Sequence, residues 1–249
     1  MSFISQKLQQ FTYFDQQLQH PHWRNKTVLD FGGNIGNILQ DPAATIEHKN
    51  YWCLDVSAAA IAKGKELYPE ANWVFYNRYN FSFNPTGIVD LELPPIIQDL
   101  DIILAYSVFT HIDQTEMLEL APQLESRLSP GGILAFTFID PHFNSGPSYM
   151  NMTNLQWRLA KARRSRPSLR TGILLKKAKH AHYCTLVNEC DIYVDDEFTD
   201  HDRMPERQSH HTYYTVNYMQ TLFPQAEIRP PVNNETQHCC ILRKALVVV

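Results

Sequence analysis

The chain has 249 residues, a formal net charge of −4 and 44% hydrophobic side chains, enough to bury a large core and without overall attraction to nucleic acid. This excludes disordered, collagen-like and repeat architectures. Only 9 residues are glycine, and five of them fall in two short clusters, Gly32-Gly33-x-x-Gly36 and Gly131-Gly132. No apolar run approaches the ~20 residues of a membrane helix. The opening MSFISQKLQQ has no signal-peptide core, so a cytoplasmic protein is expected. Cys53, Cys184, Cys190, Cys239 and Cys240 show no CxxC spacing and are expected to be free thiols.

In chain order, Phe3, Ile4, Leu8, Phe11, Phe14 and Leu18 form a helical stripe over residues 3–19, ended by His20-Pro21-His22. Thr27–Phe31 is a short strand. Glycines follow it, and Asn37–Gln40 can begin a helix. Tyr51–Val56 is a second strand, and Ser57 caps a helix over residues 58–67. Trp73–Tyr76 and Asp101–Ala105 are further strands. Thr115–Leu128 reads as a helix ended by the turn Ser129-Pro130-Gly131-Gly132. Ile133–Ile139 is apolar throughout, as strands buried on both faces are. Tyr213–Phe223 reads as a helix, and Ala226–Ile228 and Cys239–Arg243 as two closing strands. This alternation predicts an α/β fold, a Rossmann-like, doubly wound, mostly parallel seven-stranded sheet.

Residues 141–211 break the alternation and read as an insertion. Arg158–Lys179 holds nine basic residues, and Glu189–Glu206 then holds eight acids. The acidic cluster Asp195, Asp196, Glu197, Asp200, His201 and Asp202 matches no compact metal loop and reads as an exposed loop, so no metal is expected. The basic stretch suits either a solvated face, split by Pro167, or an anionic partner. The insertion is expected to cap the strand ends, where open α/β sheets bind ligands.

The segment Val28–Asn37, VLDFGGNIGN, places glycines directly after the first strand, where the backbone can approach a ligand. Asp55 ends the second strand, where a carboxylate can accept both ribose hydroxyls of a nucleoside. The two features predict an adenosine-containing cofactor. The pattern is Asp-x-Gly-Gly-x-x-Gly rather than GxGxxG, and Asp30 would repel a pyrophosphate. A cationic ligand without phosphate, S-adenosylmethionine (SAM), matches better than a nicotinamide dinucleotide.

These residues resemble the class I SAM-dependent methyltransferases. VLDFGGNIGN is similar to their first motif, CLDVS to the second, DIILAYSVFTHI (101–112) to the fourth-strand motif, and LSPGGILAF (128–136) to the turn before the fifth strand. The resemblance spans residues 27–140 and, more loosely, 212–244. It implies that Gly32, Gly33 and Gly36 line the methionine part of SAM, with Asn34 where a second small residue is usual. It implies further that Asp30 helps hold the amino group and Asp55 the ribose, that the stretch Asn77-Arg78-Tyr79-Asn80 lies near the adenine with Asn77 as its contact, and that Ala105 and Tyr106 flank the reacting end. S-adenosylhomocysteine would be the product. The chain then divides into an N-terminal helix over 1–26 covering the cofactor site, a core formed by 27–140 and 212–249, and the cap at 141–211.

A hydroxyl acceptor needs a base, and His142 and His111 follow the fifth and fourth strands. His111 also suits a packing role. His210, His211 and Tyr213 could close the site on the acceptor. The expectation is methyl transfer to an oxygen of a small molecule, a natural product or a carrier-protein-bound intermediate. Alternatives are N-methylation, an RNA- or protein-modifying enzyme using Arg158–Lys179, and a non-catalytic binding module that keeps the fold.

Overall fold

Val28, Leu29, Asp30 and Phe31 are buried in succession because they form the central strand of a parallel sheet, covered on both faces. The computed structural model describes residues 9–80, 83–140, 183–187, 191–194, 210–232 and 235–246. In chain order its strands are β1 (Val28–Phe31), β2 (Tyr51–Asp55), β3 (Asn72–Phe75), β4 (Leu100–Ala105), β5 (Leu128–Phe138), β6 (Tyr183–Val187), β7 (Asp191–Val194), β8 (His210–Tyr214), β9 (Glu227–Arg229) and β10 (His238–Arg243). Its helices are α1 (Gln10–Gln17), α2 (Ala58–Leu67), α3 (Gln114–Ser126) and α4 (Val216–Leu222).

Seven strands form one sheet in the order β3-β2-β1-β4-β5-β10-β9. The first five run parallel, and β10 is antiparallel to both β5 and β9. The order reverses between β1 and β4, so the crevice outside their carboxyl ends is the expected ligand site of such a sheet. The Rossmann-like, seven-stranded architecture read from the sequence is thus observed.

Side-chain alternation divides the core in two. Leu29, Ile103, Leu134, Phe136 and Cys240 pack on one face with Met117, Leu120 and Leu124 of α3 and Met219 of α4. Val28, Ile102, Leu104, Ala135 and Ile241 pack on the other with Phe11, Tyr13 and Phe14 of α1 and Ile61 of α2. The N-terminal aromatics are therefore core residues. Phe11 packs on Trp23 with ring centroids 5.0 Å apart, and Tyr13 on Tyr106 at 5.5 Å. Three helices begin at capped ends: Ser57 accepts from Ala60 N–H, Asp113 from Glu116 N–H and Thr215 from Tyr218 N–H.

Three sequence expectations change. Residues 34–40 form consecutive turns and no helix, because Asn34 (φ +54°) and Gly36 (φ +84°) both lie in the left-handed region. The turn at Ser129–Gly132 is part of β5, which runs on from Leu128 with an irregular register against β4 near Leu100. Tyr213 and Tyr214 extend β8, and the helix starts only after Thr215. Within the insertion, the described backbone forms a second sheet, β7-β6-β8. Its β8 joins the core through Thr212 N–H to Thr110 O at 2.9 Å and Tyr214 N–H to Ile139 O at 3.0 Å. Among the described residues no helix is long and apolar enough to cross a membrane.

Gly64 lies inside α2, where glycine is normally about 1 kcal/mol worse than alanine. Here the Trp73 indole occupies the space a β-carbon would need. Overpacking of this kind costs about 1–3 kcal/mol. Gly64→Ala is therefore expected to lower the urea midpoint, opposite in sign to helix propensity; a raised midpoint would refute the packing argument.

Candidate active site

The site is built at the carboxyl ends of β1, β2 and β4. Gly32 follows β1 with φ +74°, and a β-carbon there would stand 2.5 Å from Val108 Cγ2. Only glycine lets the loop after β1 touch the loop after β4 so closely. At Gly33 a β-carbon would stand 2.5 Å from the Asp30 carboxyl and 2.9 Å from Cys53 Sγ. Asp30 is thus seated beneath the loop, 1% exposed, and its Oδ2 accepts the Tyr51 hydroxyl at 2.6 Å. Burial pushes the Asp30 carboxyl up to about 7, against the lowering effect of the Tyr51 hydrogen bond.

Asp55 receives two backbone donors, Asn34 N–H on Oδ2 at 2.8 Å and Ser57 N–H on Oδ1 at 2.7 Å. Burial raises its carboxyl above the ordinary range, and the Ser57, Asn34 and Val56 amides oppose that rise. A carboxylate offers about four acceptor sites, so two such donors leave room for a pair of ligand hydroxyls. Asn34 shapes the loop through its backbone, in a left-handed conformation that asparagine tolerates.

Beyond β4 the wall is made by residues far apart in sequence. Ser107 N–H donates to Thr137 Oγ1 at 2.7 Å, Thr137 Oγ1 to Gln237 Oε1 at 2.6 Å, and Gln237 Nε2 to Ser107 Oγ at 3.2 Å. This triangle fixes the segment before β10 against the end of β4. Tyr106 donates its hydroxyl to Glu235 Oε2 at 2.8 Å. Glu235 is held above the usual carboxylate range by burial, with the Tyr106 bond opposing.

On the opposite side, Arg78 is 4% exposed and grips Glu119 through two nitrogens, at 3.0 and 2.7 Å, with Glu116 at 3.3 Å. Burial pushes Glu116 up to about 7, although Arg78 pulls it down. His111 donates its backbone N–H to Val108 O at 2.9 Å, and the Phe83 ring stands edge-on to its imidazole at 5.9 Å.

Together these groups enclose a cavity of about 680 Å³. Of the residues singled out in the sequence, Gly32, Asn34, Asp55, Tyr106 and His111 line it. Asp30, Gly33, Gly36, Asn77, Ala105 and Tyr213 do not. Gly36 instead packs against Trp73 and Tyr68, and Ala105 is buried in the core. Asn77 Oδ1 accepts from Asn84 Nδ2 at 3.1 Å and closes the loop after β3, while its neighbours Tyr76 and Arg78 face the cavity. Tyr213 is 5% exposed in β8. His142 lies outside the described residues, as do Arg158–Lys179, the acidic cluster and the side chains of His210 and His211. Glu116, Glu235, Thr236 and Gln237 line the cavity without having been foreseen.

The donor set tests what the cavity can hold. Among the described residues its lining has three acids, Asp55, Glu116 and Glu235, and a single Arg or Lys, Arg78, already committed to two glutamates. A pyrophosphate would find no free cation there. An adenosine bearing a positively charged tail would fit the donor set, since Asp55 keeps acceptor room for a pair of hydroxyls and Gly32 adds no side chain to the cavity.

Residues 29–134 match the sequence model of a family described as "Methyltransferase domain". No curated protein sequence matches the chain. Among solved structures, it is similar to an S-adenosylmethionine-dependent methyltransferase from Clostridium acetobutylicum, at 11% identity over 96% of this chain and 92% of that one, TM-score 0.51. The CcbJ methyltransferase from Streptomyces caelestis aligns at 11% identity over 97% and 90%, TM-score 0.53. The PH0226 protein from Pyrococcus horikoshii aligns at 14% identity over 98% and 92%, TM-score 0.52. At these identities the likeness is one of fold. The family match covers residues 29–134, the part of the chain that carries the glycine loop, Asp55 and Tyr106, and the fold is one that S-adenosylmethionine-dependent methyltransferases adopt.

Two outcomes follow. Between the ordinary aspartate value of 3.8 and about 7, folded Asp30 holds a proton that the unfolded chain has released, so its contribution to stability falls as pH rises through that window. Asp30→Asn should therefore raise the melting temperature at about pH 8 and raise it less at about pH 5; an equal change at both would disprove the buried titration. Asp55→Ala should weaken SAM binding about tenfold or more in calorimetry, because the ribose loses a charged acceptor.

Proposed function

We propose that the protein transfers the SAM methyl group to an oxygen of a small-molecule acceptor, with His111 as general base. The observation that carries this reading is the position of His111 in the wall of the cavity that Gly32 and Asp55 also line. When bound, SAM supplies an electrophilic methyl carbon on a sulfonium. Asp55 orients the nucleoside, and Gly32 keeps the floor free of side chain at the approach. The cavity walls hold the acceptor in line, which alone can lower the barrier by several kcal/mol. As the oxygen–carbon bond forms, the methyl–sulfur bond would break with S-adenosylhomocysteine as the leaving group, and the acceptor hydroxyl would give its proton to the imidazole of His111, which must begin neutral.

Three acids in the lining disfavour a polyanion such as RNA and favour a neutral or cationic small molecule. The insertion at 141–211, joined to the core by β8, is the candidate cap. We assign it water exclusion and acceptor recognition, with His210 and His211 as its contacts and His142 as a second candidate base; Tyr213, buried in β8, is left to packing. A carrier-bound intermediate is an acceptor of the same kind.

An acceptor screen that measures S-adenosylhomocysteine release with hydroxylated and amine metabolites, followed by mapping of the methylated atom, tests the reading. Methylation at oxygen is expected; turnover of amines or RNA alone would overturn it. With the acceptor found, His111→Ala should leave SAM affinity unchanged and lower kcat by about 10²–10⁴. An unchanged kcat would move the base elsewhere.

A further inference from the structure

Each acid in the cavity is compensated differently. Asp55 is satisfied by the Asn34 and Ser57 amides. Glu116 is paired with Arg78. Glu235 receives only the Tyr106 hydroxyl, and among the described residues no cation pairs with it. It is nevertheless half-buried, and Tyr106 is pinned by Tyr13 and Phe14, at ring-centroid distances of 5.5 and 6.1 Å. An oriented, partly desolvated carboxylate that faces a ligand cavity without a counter-charge is a seat for a cation from the ligand.

The sheet order fixes which part of a ligand reaches it. Asp55 ends β2, Gly32 follows β1, Tyr106 follows β4, and Glu235 stands before β10, beside β5. Neighbouring strands are about 4.8 Å apart. A ligand whose ribose lies on Asp55 and whose tail crosses Gly32 therefore brings that tail to Tyr106 and Glu235. The other acid near the loop, Asp30, cannot serve: it lies beneath Gly33 and already accepts from Tyr51. We infer that the carboxylate of Glu235, aimed by the Tyr106 hydroxyl, binds the α-ammonium group of the cofactor's methionine tail. This rests on the SAM reading of the cavity. The Gln237–Ser107–Thr137 triangle then has a clear purpose, since it holds the Glu235 segment at the right height over β4.

Calorimetry with two ligands tests the assignment: S-adenosylhomocysteine, and its deamino analogue, which keeps the carboxylate and lacks the ammonium. The wild-type protein should prefer the former by about tenfold or more, the scale of a charge-assisted hydrogen bond. Glu235→Gln should weaken S-adenosylhomocysteine by that factor and leave the deamino analogue within about twofold, so that the preference disappears. Tyr106→Phe, which frees the carboxylate without removing it, should give a smaller loss in the same direction. Melting curves of both variants without ligand establish that they fold, and the deamino analogue reports an intact nucleoside site. If Glu235→Gln weakens both ligands equally, or neither, the assignment is wrong; unchanged binding of both would leave Glu235 to a cation on the acceptor. Failure of the wild-type protein to bind either ligand would instead refute the SAM reading itself.

Discussion

The site depends on a contact that no side chain could make. At Gly32 and Gly33 the loop after β1 rests directly on Val108 and on the Asp30 carboxyl, with atoms standing 2.5 Å from where β-carbons would be. That closeness fixes the height of the loop over the sheet. It turns the Asn34 amide onto Asp55 and leaves open backbone as the cavity floor. A methyl group at either glycine would lift the loop off its support. Asp30 acts from below: accepting from Tyr51 and packed under Gly33, it holds the loop rather than reaching the ligand.

Electrostatics follows from the same packing. Burial is the leading cause of every raised carboxyl in the site. The protein meets this with different devices: backbone amides on Asp55, a guanidinium shared by Glu116 and Glu119, and a phenol on Glu235. A site so arranged is poorly suited to phosphate and well suited to a ligand that brings its own positive charge. SAM brings two such charges, a sulfonium and an ammonium.

Much of this could be read in the sequence, for identifiable reasons. Strands buried on both faces leave apolar runs, so β1, β2, β4 and β5 were visible, and Asp55 stood out as a charge at the end of one. Glycines could be located but not assigned to roles: Gly32 lines the cavity, whereas Gly36 turns the chain against Trp73 and Tyr68. The helix expected at Asn37–Gln40 failed because a left-handed Asn34 cannot be distinguished by composition from a helical one. Glu235 and Gln237 carried no local signal. They meet Tyr106 and Ser107 across about 130 positions only because β10 is inserted antiparallel beside β5. Of the stretch expected near the adenine, Arg78, Tyr79 and Asn80 line the cavity, whereas the Asn77 side chain is engaged by Asn84.

The low glycine content, first a compositional oddity, has a steric meaning. Each of the seven described glycines has another atom within about 3 Å of the position its β-carbon would take. Gly64 admits the Trp73 ring against α2, Gly87 lies on the backbone of Arg78 and Tyr79, and Gly131 and Gly132 let β5 pass close to Leu246 and to Leu100 O. Glycine occurs in these places for contact, not looseness. The described core therefore has few points of easy backbone rotation, and its ligand site is preformed by packing. Binding energy can then go into aligning donor and acceptor rather than into ordering the loop that holds them.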